Sequence, residues 1–105
     1  MNAVRAIEDC SGSSADEAGH RVADGRLMEL VAAGDADAER QLVDRLMVRV
    51  RRAAGALLRH AADADDAAQL SMLEILRSAA SFRGEGTLES WADRVTVRTS
   101  LRHAR

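Results

Sequence analysis

The sequence predicts an all-α fold, a compact three- to four-helix bundle, and three observations carry that prediction. Proline is absent from the 105 residues. Apolar residues make up 47% of the chain, yet only Phe82 and Trp91 are aromatic, so the core must be built from Leu, Val, Met and Ala, a mixture suited to closely packed helices. No run of alternating β-branched residues is long enough for a strand, whereas apolar residues recur at three- and four-residue steps. One domain with a small core is expected at this length.

Residues 1–24 are acidic, contain Ser11, Gly12, Ser13 and Ser14, and show no sustained apolar period. They read as a flexible leader before a helical domain over residues 25–105. From Arg26, the residues Leu27, Leu30 and Val31 line one side of a short helix that stops at Gly34. Asp35 caps a long second helix, roughly Ala36 to Arg59, whose inner face carries Leu42, Leu46, Val50, Ala53 and Leu57. Arg40, Asp44, Arg51 and Arg52 occupy its other face, and Asp37 and Glu39 at its start with Arg59 and His60 at its end suit the helix dipole.

A break at residues 61–64 leads to a third helix, about Asp65 to Ala80, with Ala68, Met72, Ile75 and Ala79 turned inward and Leu73 and Leu76 widening the stripe. The segment Phe82 to Gly86 holds two glycines and reads as a loop. Thr87 is an N-cap for a fourth helix that directs Leu88, Trp91, Ala92, Val95 and Thr99 to the core. Arg94, Arg98, Arg102 and Arg105, at steps of four, four and three, share a neighbouring face of that helix.

The net charge of −2 conceals an asymmetry. Residues 1–74 carry fourteen carboxylates against nine arginines, a balance of −5; residues 77–105 carry six arginines against Glu85, Glu89 and Asp93, a balance of +3. The basic end is the candidate surface for a polyanion. All fifteen cationic residues are Arg, whose planar guanidinium suits bidentate contacts to phosphate or bases.

Several function classes are disfavoured. Cys10 is the single cysteine, which leaves no internal disulfide and no cysteine-based metal site. His20, His60 and His103 lie far apart without paired ligands, so no metal or other cofactor is expected. No catalytic constellation is visible, and the chain reads as a non-enzyme. With no signal-peptide core and no apolar stretch of membrane-spanning length, a cytoplasmic protein is expected.

The residues Ala33-Gly34-Asp35, then Ala64-Asp65-Asp66-Ala67-Ala68-Gln69, then Ser81-Phe82-Arg83-Gly84-Glu85-Gly86 followed by Trp91, resemble in order and spacing region 2 of bacterial sigma factors. The likeness is strongest to the extracytoplasmic-function (ECF) group of the sigma-70 family and runs from about Leu27 to Arg105. It implies a transcription-initiation domain that binds core RNA polymerase and promoter DNA. In that family an Asp-x-x-Gln pattern docks on a coiled coil of the polymerase β′ subunit; Asp66 and Gln69 match it, with Asp65 beside them, and Leu70 stands where the family usually has Glu.

The resemblance further implies that the loop holds a base flipped from the non-template strand of the minus-ten element, which places Arg83, Gly84, Gly86, Thr87 and Ser90 at DNA. The arginine stripe of Arg94, Arg98, Arg102 and Arg105 would then grip the upstream backbone. The fourth helix departs from the family pattern at Ala92, Asp93 and Arg98. Arg83 has a local alternative, pairing with Glu85, and Asp65 and Asp66 have one as a helix cap. An anti-sigma factor is a further implied partner, and a module that binds one without initiating transcription is the alternative function. The family's second domain, a helix-turn-helix, has no counterpart here, and the basic run Arg102-His103-Ala104-Arg105 suggests a piece of a longer protein.

Overall fold

Helix boundaries follow local chemistry closely at two of the junctions. The computed structural model describes residues 14–104, with side chains from residue 23 onward. Helix α1 spans Ser14–Ala32 and ends in a Schellman turn, in which the Gly34 amide donates to the Val31 carbonyl (2.9 Å) and the Asp35 amide to that of Leu30 (3.0 Å). Gly34 sits at φ +89°, a conformation that favours glycine. Asp35 then caps α2, Ala36–Leu57, its Oδ1 accepting from the Ala38 amide at 2.9 Å.

Helix α3 spans Ala61–Arg77 and passes through a 3-10 turn, Ala79–Ser81, into the loop. Helix α4 spans Leu88–His103, and the predicted Thr87 cap is present, its Oγ1 accepting from the Ser90 amide at 3.0 Å. Helices α2, α3 and α4 pack against one another, and α1 lies against α2 and the 3-10 turn. The described residues are thus an all-α bundle, as the composition predicts.

The centre of the core is the α2 stripe of Leu42, Leu46, Val50 and Ala54, joined by Met28 and Val31 from α1, Ala67, Ala68, Met72 and Ile75 from α3, and Leu88, Ala92 and Val95 from α4. Fully burying a leucine of this kind contributes about 1.5–3 kcal/mol. Trp91 is half-buried, its ring edge-on to Phe82 with centroids 5.7 Å apart, so the pair seals the margin of the core under the loop.

Four expectations are corrected. Residues 1–13 of the expected leader lie outside the described residues, but from Ser14 to Asp24 the chain is helical, continuous with the helix expected to begin at Arg26. At its described end Asp24, 6% exposed, accepts from Arg45 of α2 at 2.6 and 3.2 Å, an ion pair that fastens α1 alongside the apolar contacts of Met28 and Val31. On α2, Ala54 and not Ala53 is buried, and Leu57 is exposed, because the helix ends there instead of at Arg59. Helix α3 begins four residues earlier than expected, and Leu73 is exposed instead of widening the buried stripe.

Candidate polymerase and nucleic-acid surfaces

The early start of α3 decides how its carboxylates are used. His60 is the N-cap and makes no side-chain capping bond; Asp63 is the acid of the first turn, which places Asp65 and Asp66 in the second turn, beyond capping range. Asp65, Asp66 and Gln69 are exposed, and among the described residues no hydrogen bond or ion pair engages their side chains. Their spacing puts them on one side of the helix. Arg51, from α2, lines a concavity of about 360 Å³ with Asp65 and Gln69, a neighbour that sequence spacing did not reveal. Leu70 follows at 44% exposed.

The carboxylates of α4 behave differently. Arg45 on α2 bridges Asp24 of α1 and Glu89 of α4, the latter at 2.9 and 3.2 Å, and one turn on Arg49 makes a bidentate pair with Asp93 at 2.8 Å for both bonds. Partial burial pushes the Glu89 carboxyl up, but hydrogen bonding from Arg45 and the charges of Arg45 and Arg49 outweigh it and hold the group below its ordinary value. Hydrogen bonding to Asp24 and to Asp93 raises Arg45 and Arg49, respectively, so both stay charged throughout the accessible range. Asp93, a departure from the family pattern, therefore has a structural role: it turns toward α2 and leaves the arginine face of α4 free of acids.

The loop stands on two glycines in the left-handed region, Gly84 at φ +76° and Gly86 at φ +112°. A β-carbon at either would meet no atom within 4 Å, so the requirement is conformational and not steric. Arg83 is exposed and forms no ion pair with Glu85, which removes the local alternative for it among the described residues. Thr87 spends its oxygen on the cap, and Ser90 Oγ accepts from Arg94 at 3.3 Å. Thr87, Ser90 and Arg94 are thus linked in sequence by hydrogen bonds, while Gly84 lines the side of the loop toward α1.

The arginine stripe, by contrast, does not face a single surface. Arg94 lies beside Trp91 and the loop, while Arg102 winds round to α3, lining a groove with Leu70, Leu73 and Arg77 and donating weakly to Thr99 at 3.5 Å. Arg98 is exposed between them, and Arg105 lies outside the described residues. Steps of four residues drift by about 40° per step round a helix with 3.6 residues per turn, which explains the divergence.

Sequence reasoning also left out α1. Arg26 and Glu29 flank, with Arg83 and Gly84, a cleft of about 670 Å³ between α1 and the loop. Nothing in the periodicity of α1 distinguishes these two from other exposed helix residues. No group of three or more metal-ligating side chains is present among the described residues, and none of the described helices is long and apolar enough to cross a membrane.

An acid-bearing helix face, a glycine loop with an exposed arginine and a helical scaffold fastened by cross-helix ion pairs make the described residues a small all-α domain with two chemically distinct surfaces. The Sigma-70 region 2 family model matches residues 42–105, and the chain belongs to that family. It is 38% identical over 82 residues to the ECF RNA polymerase sigma factor SigM of Mycobacterium tuberculosis strain H37Rv, and 37% identical to that of strain Erdman. Each match covers 78% of this chain and 42% of the relative, so the chain spans less than half the length of the curated relatives it matches. Among solved structures it resembles an engineered region 2 of sigmaE in complex with GTAAAA, with a TM-score of 0.67, 26% identity, and coverage of 77% of this chain and 84% of the other.

Proposed function

We propose that the domain serves transcription initiation by docking on the β′ coiled coil of RNA polymerase through Asp65, Asp66 and Gln69 while the loop and α4 hold the unpaired non-template strand of the minus-ten element. The observation that carries the reading is the division of carboxylates. Glu89 and Asp93 are consumed inside the bundle, whereas Asp65 and Asp66 are exposed, uncapping and unpaired among the described residues, which leaves them for a cationic partner helix.

The DNA side rests on complementary facts. With Glu89 and Asp93 paired to α2, Arg83 on the loop and Arg94 and Arg98 along α4 are exposed cations suited to the phosphate backbone, and Glu85 is the exposed acid among them. Base contacts would come from the main chain at Gly84 and Gly86, and backbone contacts from the arginines, so attraction and selection have separate carriers. Melting by an aromatic cluster is not available to a chain whose Phe82 and Trp91 pack on each other; capture of an unpaired base is the remaining route.

Titration of the domain against the purified β′ coiled coil tests the docking face. Saturable binding that is lost in the Asp66→Arg, Gln69→Ala variant, with helicity intact by circular dichroism, is the expected result. Equal binding by the variant would remove this face from the interface, and absence of binding by the parent chain would favour a module that only binds an anti-sigma factor.

A further inference from the structure

The ion pairs that set the register of α2 against α4 lead, further along the same flank, to an exposed apolar surface. Arg45 meets Glu89 and Arg49 meets Asp93, each pair forty-four residues apart, so the two helices run parallel with a constant offset. At that offset the next rungs toward the C-terminal ends are Ala53 beside Val97 and Leu57 beside Leu101. Leu57, Val97 and Leu101 are 41%, 39% and 54% exposed, and Ala53 is half-buried. The charged ladder thus passes into an apolar ledge.

This ledge is not surplus apolar surface from a crowded core. In the same half of α4, Thr96 and Ser100 are fully buried, and each is followed directly by one of the exposed apolar residues, Val97 and Leu101. Thr96 Oγ1 donates to the Ala92 carbonyl at 2.8 Å, whereas the Ser100 hydroxyl has no partner among the described residues. A turn of α4 by one residue would bury the valine and leucine and release the hydroxyls, a change that the burial of apolar area favours. The two ion-pair rungs oppose it, because it would carry Glu89 and Asp93 away from Arg45 and Arg49.

We propose that the ledge is a protein-docking surface whose occupant is an acidic amphipathic helix of a separate polypeptide, its apolar stripe on Leu57, Val97 and Leu101 and its carboxylates toward Arg52 and Arg98. Charge complementarity selects that occupant. Helix α2 carries no carboxylate after Asp44, and residues 94–105 carry none. Arg52 stands one residue before Ala53 and Arg98 one after Val97, on the sides of that rung away from the buried Ala54 and Thr96. Both arginines are exposed and neither forms an ion pair among the described residues. An apolar rail between two cationic rims matches a helix with apolar residues at three- and four-residue steps and acids on either side. A second copy of this chain would set arginine against arginine, since a two-fold contact joins the same patch on both subunits. Nucleic acid would meet cations at the rims but, at the centre, aliphatic side chains that donate no hydrogen bond.

The test measures anisotropy of a fluorescein-labelled helical peptide of about 18 residues, some five turns, with Leu along one stripe and Glu on both flanks, titrated with the whole chain. Two comparators are a peptide with the same stripe and Lys flanks, and one with the first composition scrambled. Saturable binding of the Glu-flanked peptide is expected, weakened about tenfold or more for either comparator and for Val97→Gln or Leu101→Gln, the scale of one lost anchor residue. Both positions are exposed and Gln suits a helix, so the variants should keep the parent's helicity. Leu73→Gln on α3, 53% exposed, should bind like the parent, which separates the ledge from general adhesiveness. Arg52→Gln should narrow the preference for Glu over Lys flanks. Equal binding of all three peptides, equal weakening by Leu73→Gln, or no binding by the parent chain would overturn the assignment. A sedimenting dimer of the parent that Leu101→Gln separates would give the ledge to a second copy instead, and loss of duplex DNA binding in Val97→Gln with peptide binding intact would give it to nucleic acid. Asp65, Asp66 and Gln69 are unaltered in every variant, so polymerase docking is read separately from each of these results.

Discussion

Replacement of Arg45 by Ala isolates the polar contact between α1 and the rest of the bundle. It would leave the Asp24 carboxylate, whose side chain is 9% exposed, without its two hydrogen bonds, and would free Glu89 on α4. Removal of one partner from a fully buried pair costs about 3–5 kcal/mol. Here the Arg45 and Glu89 side chains are each 35% exposed, so water recovers part of the loss, and a cost of about 2–3 kcal/mol is expected. For a domain of this size that corresponds to a fall in Tm of roughly 10–20 °C.

The assay is thermal and urea unfolding followed by far-ultraviolet circular dichroism, with two controls. Arg40→Ala removes a pair whose side chains are 70% and 81% exposed and should change stability by less than about 0.5 kcal/mol. Asp24→Asn combined with Arg45→Met removes both charges and should recover more than half of the loss, because the damage lies in the unpaired acid and not in the missing bridge. If Arg45→Ala is no more harmful than Arg40→Ala, the ion pair does not fasten α1. The buried Met28 and Val31 would then be what holds α1 in place.

Further predictions concern the bundle, the caps and pH. Ser71 and Ser100 are fully buried, and neither hydroxyl has a hydrogen-bond partner among the described residues; Ser71→Ala and Ser100→Ala should each stabilise the domain by about 0.5–1 kcal/mol, read as a higher urea midpoint. Thr87→Ala removes the α4 cap and should cost about 1 kcal/mol, with Thr87→Ser largely retaining it. Because Glu89 titrates below its ordinary value of 4.5 in the folded protein, its contribution is complete above that value and disappears as the pH falls through the lower, folded one. The difference in Tm between the parent and Glu89→Gln should therefore be constant from neutral pH down to about 5 and shrink below about 4.5.

The part of the fold legible in the sequence was the part fixed by local chemistry. Leu42, Leu46 and Val50 repeat at four-residue steps, Gly34 and Asp35 form a stop and a start, and Thr87 precedes a helix whose third amide it caps. The first half of α1 was not legible, since Asp24 reads as a solvated acid until Arg45, twenty-one residues away, is placed beside it. The same applies to Arg45 with Glu89 and Arg49 with Asp93, forty-four residues apart: periodicity locates each charge on a helix face but cannot say which charges cancel across the bundle.

Site reading had a similar limit. Motif spacing singled out Asp66, Gln69 and the Arg83-to-Ser90 segment, all of which lie on exposed or loop positions. It left out Arg51, Arg26 and Glu29, whose relevance arises only because α1 and α2 bring them beside α3 and the loop. The arginine stripe showed the opposite error, in which regular spacing suggested one face and helix drift turned Arg94 and Arg102 toward different neighbours.

The central claim, that one small domain joins polymerase and an unpaired strand at the same time, is tested most directly in a three-component experiment. Labelled single-stranded GTAAAA is mixed with core RNA polymerase, with and without the domain, and its co-elution with polymerase is measured at moderate salt. The account predicts retention of the strand on polymerase only when the domain is present, with loss in the Asp66→Arg, Gln69→Ala variant although that variant still binds the strand alone. Equal retention with the variant, or none with the parent domain, would contradict it.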